Sequence, residues 1–108
     1  MSPVPFQKIK TAVLGTSYDL SVAFLNPTQM RRAMKYKKES TKKISNVLAF
    51  ALSKTSGEIL ICREVAAPFS IPYLFIHGCA HLKGYRHGAT MERIESRLLK
   101  KFGFRMHE

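Results

Sequence analysis

The sequence predicts an α+β fold: a small β-sheet packed against helices, with a three-histidine metal site on one helix and the loop that follows it. Two observations carry the fold class. Residues 20–25, 46–52 and 58–62 are apolar runs of strand length, each bounded by turn-forming or charged residues. Two later stretches, 72–83 and 90–102, instead have helical length, a hydroxyl residue near the start and a glycine just past the end. A chain of 108 residues suits one domain with one core.

Taken in order, residues 1–8 read as a loose end, as do residues 104–108. LSVAFL at 20–25 is the first buried strand. Asn26 then precedes Pro27, the pairing expected of an N-cap and a first helical position. Met30, Ala33 and Met34 follow at helical spacing, while Arg31, Arg32, Lys35, Lys37 and Lys38 occupy the other faces, so this helix has a thin apolar stripe and a basic remainder. Residues 39–45 read as a loop. NVLAFAL at 46–52 and EILIC at 58–62, joined by a turn over 54–57, form a predicted hairpin. Ser70 and Pro72 begin the next helix, whose mostly apolar composition implies burial, and Gly84 ends it. Thr90 is the expected cap of a last helix with a Met91, Ile94, Leu98, Leu99 stripe, stopped by Gly103.

Charge narrows the function. Eighteen Lys and Arg against seven Asp and Glu leave a formal +11, an excess that attracts polyanions, of which nucleic acid is the commonest. An interfacial membrane helix would need a Trp- or Phe-lined face opposite the basic one, and none is visible. Crossing a bilayer takes roughly 20 apolar residues, which no run approaches, and MSPVPFQK lacks the form of a signal peptide. A cytoplasmic protein is expected, with Cys62 and Cys79 as buried thiols rather than a disulfide or zinc-finger pair.

The informative segment is HGCAHLKGYRH, residues 77–87. On a helix of 3.6 residues per turn, His77 and His81 stack on one face, so both rings can reach one ion. Gly84 can take a positive φ and turn the chain back, which would deliver His87 to the same place. Three imidazoles at about 2.0–2.1 Å leave one tetrahedral position for water, whereas a structural zinc would be closed by a fourth protein ligand. His107, alone near the C-terminus, is read as a surface or core residue that holds no metal. The pattern is close to the HExxHxxGxxH of zinc peptidases, but Gly78 stands where their general-base Glu belongs, which excludes peptide hydrolysis by that route.

The same segment resembles the HGxLHLxGYDH signature of the YbeY family, endoribonucleases that mature ribosomal RNA. Ser45 to Phe50 (SNVLAF) is similar to the family's TNVLSF strand, Gly57, Glu58 and Ile59 to its GDI strand, and Met91 and Glu95 to the Met and Glu of the helix after the histidines. The likeness spans about residues 20–103. It implies a mixed sheet packed with helices, a zinc ion held by His77, His81 and His87, and cleavage of single-stranded RNA at the small ribosomal subunit. Two positions depart from the pattern: Arg86 replaces the acidic residue before the third histidine, and Glu39 stands where the family has an Arg directed at phosphate, with Lys38 its nearest substitute.

The mechanism expected from this resemblance has zinc lowering the pKa of its water toward about 7 and polarising a phosphoryl oxygen. Lys38 and Arg86 are the candidates for stabilising the charge that builds in the reaction, and Lys35, Lys37, Lys42 and Lys43 for following the RNA backbone. Asn46 could orient substrate or cap a turn, and Tyr36 or Tyr85 could stack on a base or simply pack. The rival class is a non-catalytic RNA-binding or ribosome-assembly factor with a structural zinc.

Overall fold

The computed structural model describes residues 4–36 and 43–108. Its elements run α1 (Phe6–Leu14), β1 (Asp19–Phe24), α2 (Pro27–Tyr36), β2 (Val47–Ser53), β3 (Ser56–Ile61), a 3-10 turn (Arg63–Val65), α3 (Ile71–Lys83) and α4 (Ala89–Phe102). The fold is α+β. Strand β3 is central, parallel to β1 and antiparallel to β2, so the sheet is mixed with order β1-β3-β2. Among the described residues no helix is long and apolar enough to cross a membrane.

Strand β3 is apolar on both faces because both are covered. Side chains alternate across a strand, so Ile59 and Ile61 pack with Ile9, Phe75 and Ile76 in the larger core, while Leu60 and the following Cys62 pack with Met30, Met34 and Leu48 on the other face. Helix α2 therefore covers one side of the sheet and α1, α3 and α4 build up the other. The β2–β3 hairpin forms as expected, but its turn is only Lys54 and Thr55. A bond between the Ser53 and Ser56 hydroxyls (2.7 Å) closes it, and Ser56 and Gly57 already belong to β3.

Local capping accounts for two helix starts. In α2, Asn26 Oδ1 accepts from Gln29 N at 2.8 Å while Gln29 Oε1 accepts from Asn26 N at 2.9 Å, a reciprocal box ahead of Pro27. In α3, Ser70 Oγ accepts from Tyr73 N at 3.2 Å. Gly78, near the middle of α3, sits directly on the central strand: a Cβ there would lie 3.0 Å from Ile59 Cδ1. A side chain at this position would require Ile59 to shift by a few tenths of an ångström.

Three expectations are overturned. Residues 6–8 are the first turn of α1 rather than part of a loose end, because Phe6, Ile9 and Val13 share a helical stripe and Ile9 is wholly buried in the main core. Residues 104–108 are likewise held. Phe104 and Met106 pack on the core, Ser70 N donates to Met106 O at 2.8 Å, the Ser70 hydroxyl donates to Arg105 O, and Glu108 N donates to Pro68 O at 3.1 Å. Finally, Thr90 does not cap α4. The helix begins at Ala89, with Gly88 at the cap two residues earlier than expected, and Thr90 Oγ1 accepts instead from Arg93 Nη2 at 3.4 Å.

Candidate metal centre

Helix α3 carries His77 and His81 one turn apart, and their Nε2 atoms lie 3.1 Å from each other. The helix then ends at Gly84, whose φ of 110° places it in the left-handed region that a residue with a Cβ enters only at a cost. Gly84 N donates to His81 O and Tyr85 N reaches back to Ala80 O, both at 3.0 Å, which closes the last turn and reverses the chain. That reversal brings His87 in, with ring centroids 5.1 Å from His77 and 4.7 Å from His81. One ligand atom from each of the three rings falls within 4.8 Å of the others.

This donor set fits a metal ion. Two imidazole nitrogens bound tetrahedrally at about 2.0–2.1 Å stand about 3.3 Å apart, and the 3.1 Å between His77 Nε2 and His81 Nε2 is within a few tenths of that. Among the described residues no cysteine or carboxylate joins the cluster as a fourth donor, so an ion held here would keep a position for an exchangeable ligand. Cys79 is buried outside the cluster, and desolvation pushes its thiol up to about 12. Cys62 is free and buried in the smaller core beside Met30 and Met34.

Glu95 completes the arrangement, a role the sequence reading left unassigned. Its Oε2 lies 2.6 Å from His77 Nδ1, and its side chain is only 3% exposed. With a proton on Nδ1 donated to this carboxylate, the lone pair of His77 stays on Nε2, facing His81. The signal for this was present: Glu95 is a carboxylate one turn after Met91 on the buried stripe of α4, where a charged group needs a partner. The His81 pKa is lowered, first by burial and then by the neighbouring His77 and His87 rings, against an opposing hydrogen bond to the Tyr85 backbone and the charge of Glu95. Both effects keep lone pairs available for a cation.

The three rings open into a cleft of about 510 Å³ between α3 and β2, walled by Ser45, Asn46, Val47 and Ala49 on the strand side. Asn46 is half-buried, its carbonyl accepting from Cys62 N at 2.9 Å, so it serves the hairpin while also bordering the cleft. Gly78 lies in the floor. A Cβ at this position would press on the Ile59 side chain.

The basic candidates distribute less tightly. Lys35 is exposed on the last turn of α2 and Lys43 is exposed two residues before Ser45. Arg86 is exposed on the loop between the second and third histidines and does not border the cleft. Lys37, Lys38, Glu39 and Lys42 lie outside the described residues. Tyr36 is 86% exposed, whereas Tyr85 is half-buried.

The family model described as Endoribonuclease YbeY matches residues 6–103. Curated relatives bearing that same name include one from Polynucleobacter asymbioticus, 27% identical over 103 residues, which covers 79% of this chain and 66% of the relative's length. Another, from Psychromonas ingrahamii, is 27% identical and covers 94% of this chain and 82% of its own. A third, from Lawsonia intracellularis, is 28% identical and covers 90% of this chain and 75% of its own. No solved structure matches the chain at comparable significance. With nearly the whole chain matched and the three histidines brought together, this protein belongs to the YbeY endoribonuclease family of RNA-cleaving hydrolases.

Proposed function

We propose that this chain is a zinc-dependent endoribonuclease that cuts single-stranded RNA during ribosomal RNA maturation, working in the cytoplasm on RNA of the small ribosomal subunit. The observation that carries the reading is the convergence of His77, His81 and His87 with a buried carboxylate behind the first of them. Zinc in such a site supplies a positive charge that polarises a phosphoryl oxygen and a water acidified to a pKa of about 7.

The chain's own residues supply the rest. Glu95 holds the His77 proton at Nδ1 and fixes the ring. The cleft beside the histidines is of the size that takes a small ligand such as a single nucleotide, which supports an unpaired strand as substrate. Lys38 and Arg86 are assigned the charge that develops on the phosphoryl oxygens, and Lys35, Lys37, Lys42 and Lys43 the flanking backbone. The formal +11 supports a polyanionic substrate. Residues 1–108 act as one domain around this centre.

The test is incubation of zinc-loaded protein with an RNA that carries one unpaired and one base-paired segment, with and without chelator, beside His81→Ala. Cleavage confined to the unpaired segment, lost with chelator and in the variant, is the expected result. Salt-sensitive binding with no cleavage would instead assign the zinc a structural role in a non-catalytic RNA-binding factor. Elemental analysis of protein purified without a histidine tag identifies the metal.

A further inference from the structure

A second concavity, of about 420 Å³, opens where α3 ends between α1 and α4, and it shares no bordering residue with the histidine cleft. Val13 of α1 and Ile94 and Leu98 of α4 form an apolar floor. Around it stand Lys83, Tyr85, Arg97 and Lys101, and no carboxylate borders it. Arg97 and Lys101 are one helical turn apart and so share a face of α4. Among the described residues none of these three cations takes part in a salt bridge. Three like charges gathered on one pocket repel one another, and a bound anion would relieve that repulsion.

The pocket also adjoins the metal centre through the chain itself. Tyr85 borders this concavity and His87 borders the cleft. Two residues span at most about 7 Å. The exposed Arg86 lies between them on the same loop. A strand lying across this loop could enter both depressions at once.

We propose that this concavity is a second subsite for single-stranded RNA, in which Lys83, Arg97 and Lys101 hold backbone phosphates and an unpaired base rests on Tyr85 and the apolar floor. Its occupant belongs to the strand whose scissile phosphate sits at the histidines, so it rests on the nuclease reading for its substrate. The unpaired state follows from the chemistry, because only an unstacked base offers its face to a tyrosine.

The experiment measures fluorescence anisotropy of a labelled 2′-O-methyl oligouridylate 12-mer on zinc-loaded protein across a salt series, with the oligonucleotide checked for integrity on a gel. The pocket double variant Arg97→Gln/Lys101→Gln is compared with Lys100→Gln/Arg105→Gln, which removes the same charge elsewhere. Each phosphate contact on a single strand contributes about 0.7 to the slope of log K against log salt, so losing two flattens the slope by about 1.4 and weakens binding about 25-fold near 0.1 M salt. Tyr85→Ala should weaken binding with the slope unchanged, and Tyr85→Phe should restore it. A pocket variant that binds like the control pair, or that leaves the slope unaltered, overturns the subsite even if the wild type cuts RNA. Loss of slope in a protein that cuts nothing upholds the subsite while refuting the nuclease reading.

Discussion

Replacing Glu95 by glutamine separates metal binding from folding. The carboxylate lies 2.6 Å from His77 Nδ1 and is nearly inaccessible to solvent. Glutamine keeps the shape and an acceptor oxygen but removes the charge, which turns a charge-assisted bond worth about 1.5–3 kcal/mol into a neutral one worth about 0.5–1.5. The difference, near 1.4 kcal/mol, is about tenfold in metal affinity and matches the lower end of the 10–100-fold effects found for partners of ligating histidines. Because the ion binds only the folded chain, a tenfold weaker site lowers zinc-induced stabilisation by about 1.4 kcal/mol under excess metal. In a domain of this size that corresponds to roughly 6–11 °C less Tm gain on adding zinc. The assay is competition with a chromophoric chelator, together with thermal melts with and without zinc. The reasoning is refuted if E95Q binds zinc like the wild type, or if it lowers the Tm of metal-free protein as much as that of loaded protein.

Three further outcomes are expected. The lowered His81 pKa means the unfolded chain takes up a proton near pH 6.5 while the folded chain does so only at lower pH, so the contribution of this residue to metal-free stability is lost as pH falls below about 6.5. Urea midpoints at pH 7.5 and 5.5 should therefore differ less in His81→Asn than in wild type, and an equal or larger difference would contradict it. Gly84→Ala forces a Cβ into φ 110° and should cost about 1–2 kcal/mol in urea unfolding, with a weaker zinc affinity because His87 depends on that reversal. Ile9→Ala tests the packing of α1: a fully buried side chain in the main core should cost about 2–5 kcal/mol in urea unfolding, and a neutral substitution would contradict that packing.

Much of the site was legible because its spacing is local. His77 and His81 are one turn apart, Gly84 follows where a reversal is needed, and His87 lies within the reach of that reversal, so a single stretch of chain brings all three donors together. The Asn26 cap of α2 and the β2–β3 hairpin were readable for the same reason. Helix α1 was harder, since its stripe of Phe6, Ile9 and Val13 is interrupted by lysines and its stability comes from the core it covers rather than from caps; no side chain caps its start. The C-terminal tail was hidden similarly, because residues 104–108 are secured by bonds to Pro68 and Ser70, far away in sequence.

By itself, the order of residues determined the metal-ligand spacing, the apolar runs that become the strands and the strongly basic character, all of which follow from periodicity and composition. Tertiary structure alone decided that β1 would lie parallel to β3, that Glu95 would cross from α4 to the back of His77, and that Lys83, Arg97 and Lys101 would surround one pocket. The division has a physical cause. Contacts within a turn or two are set by backbone geometry that any reader of the chain can compute, whereas contacts between distant segments exist only once burial of the common core has chosen how α3 and α4 pack.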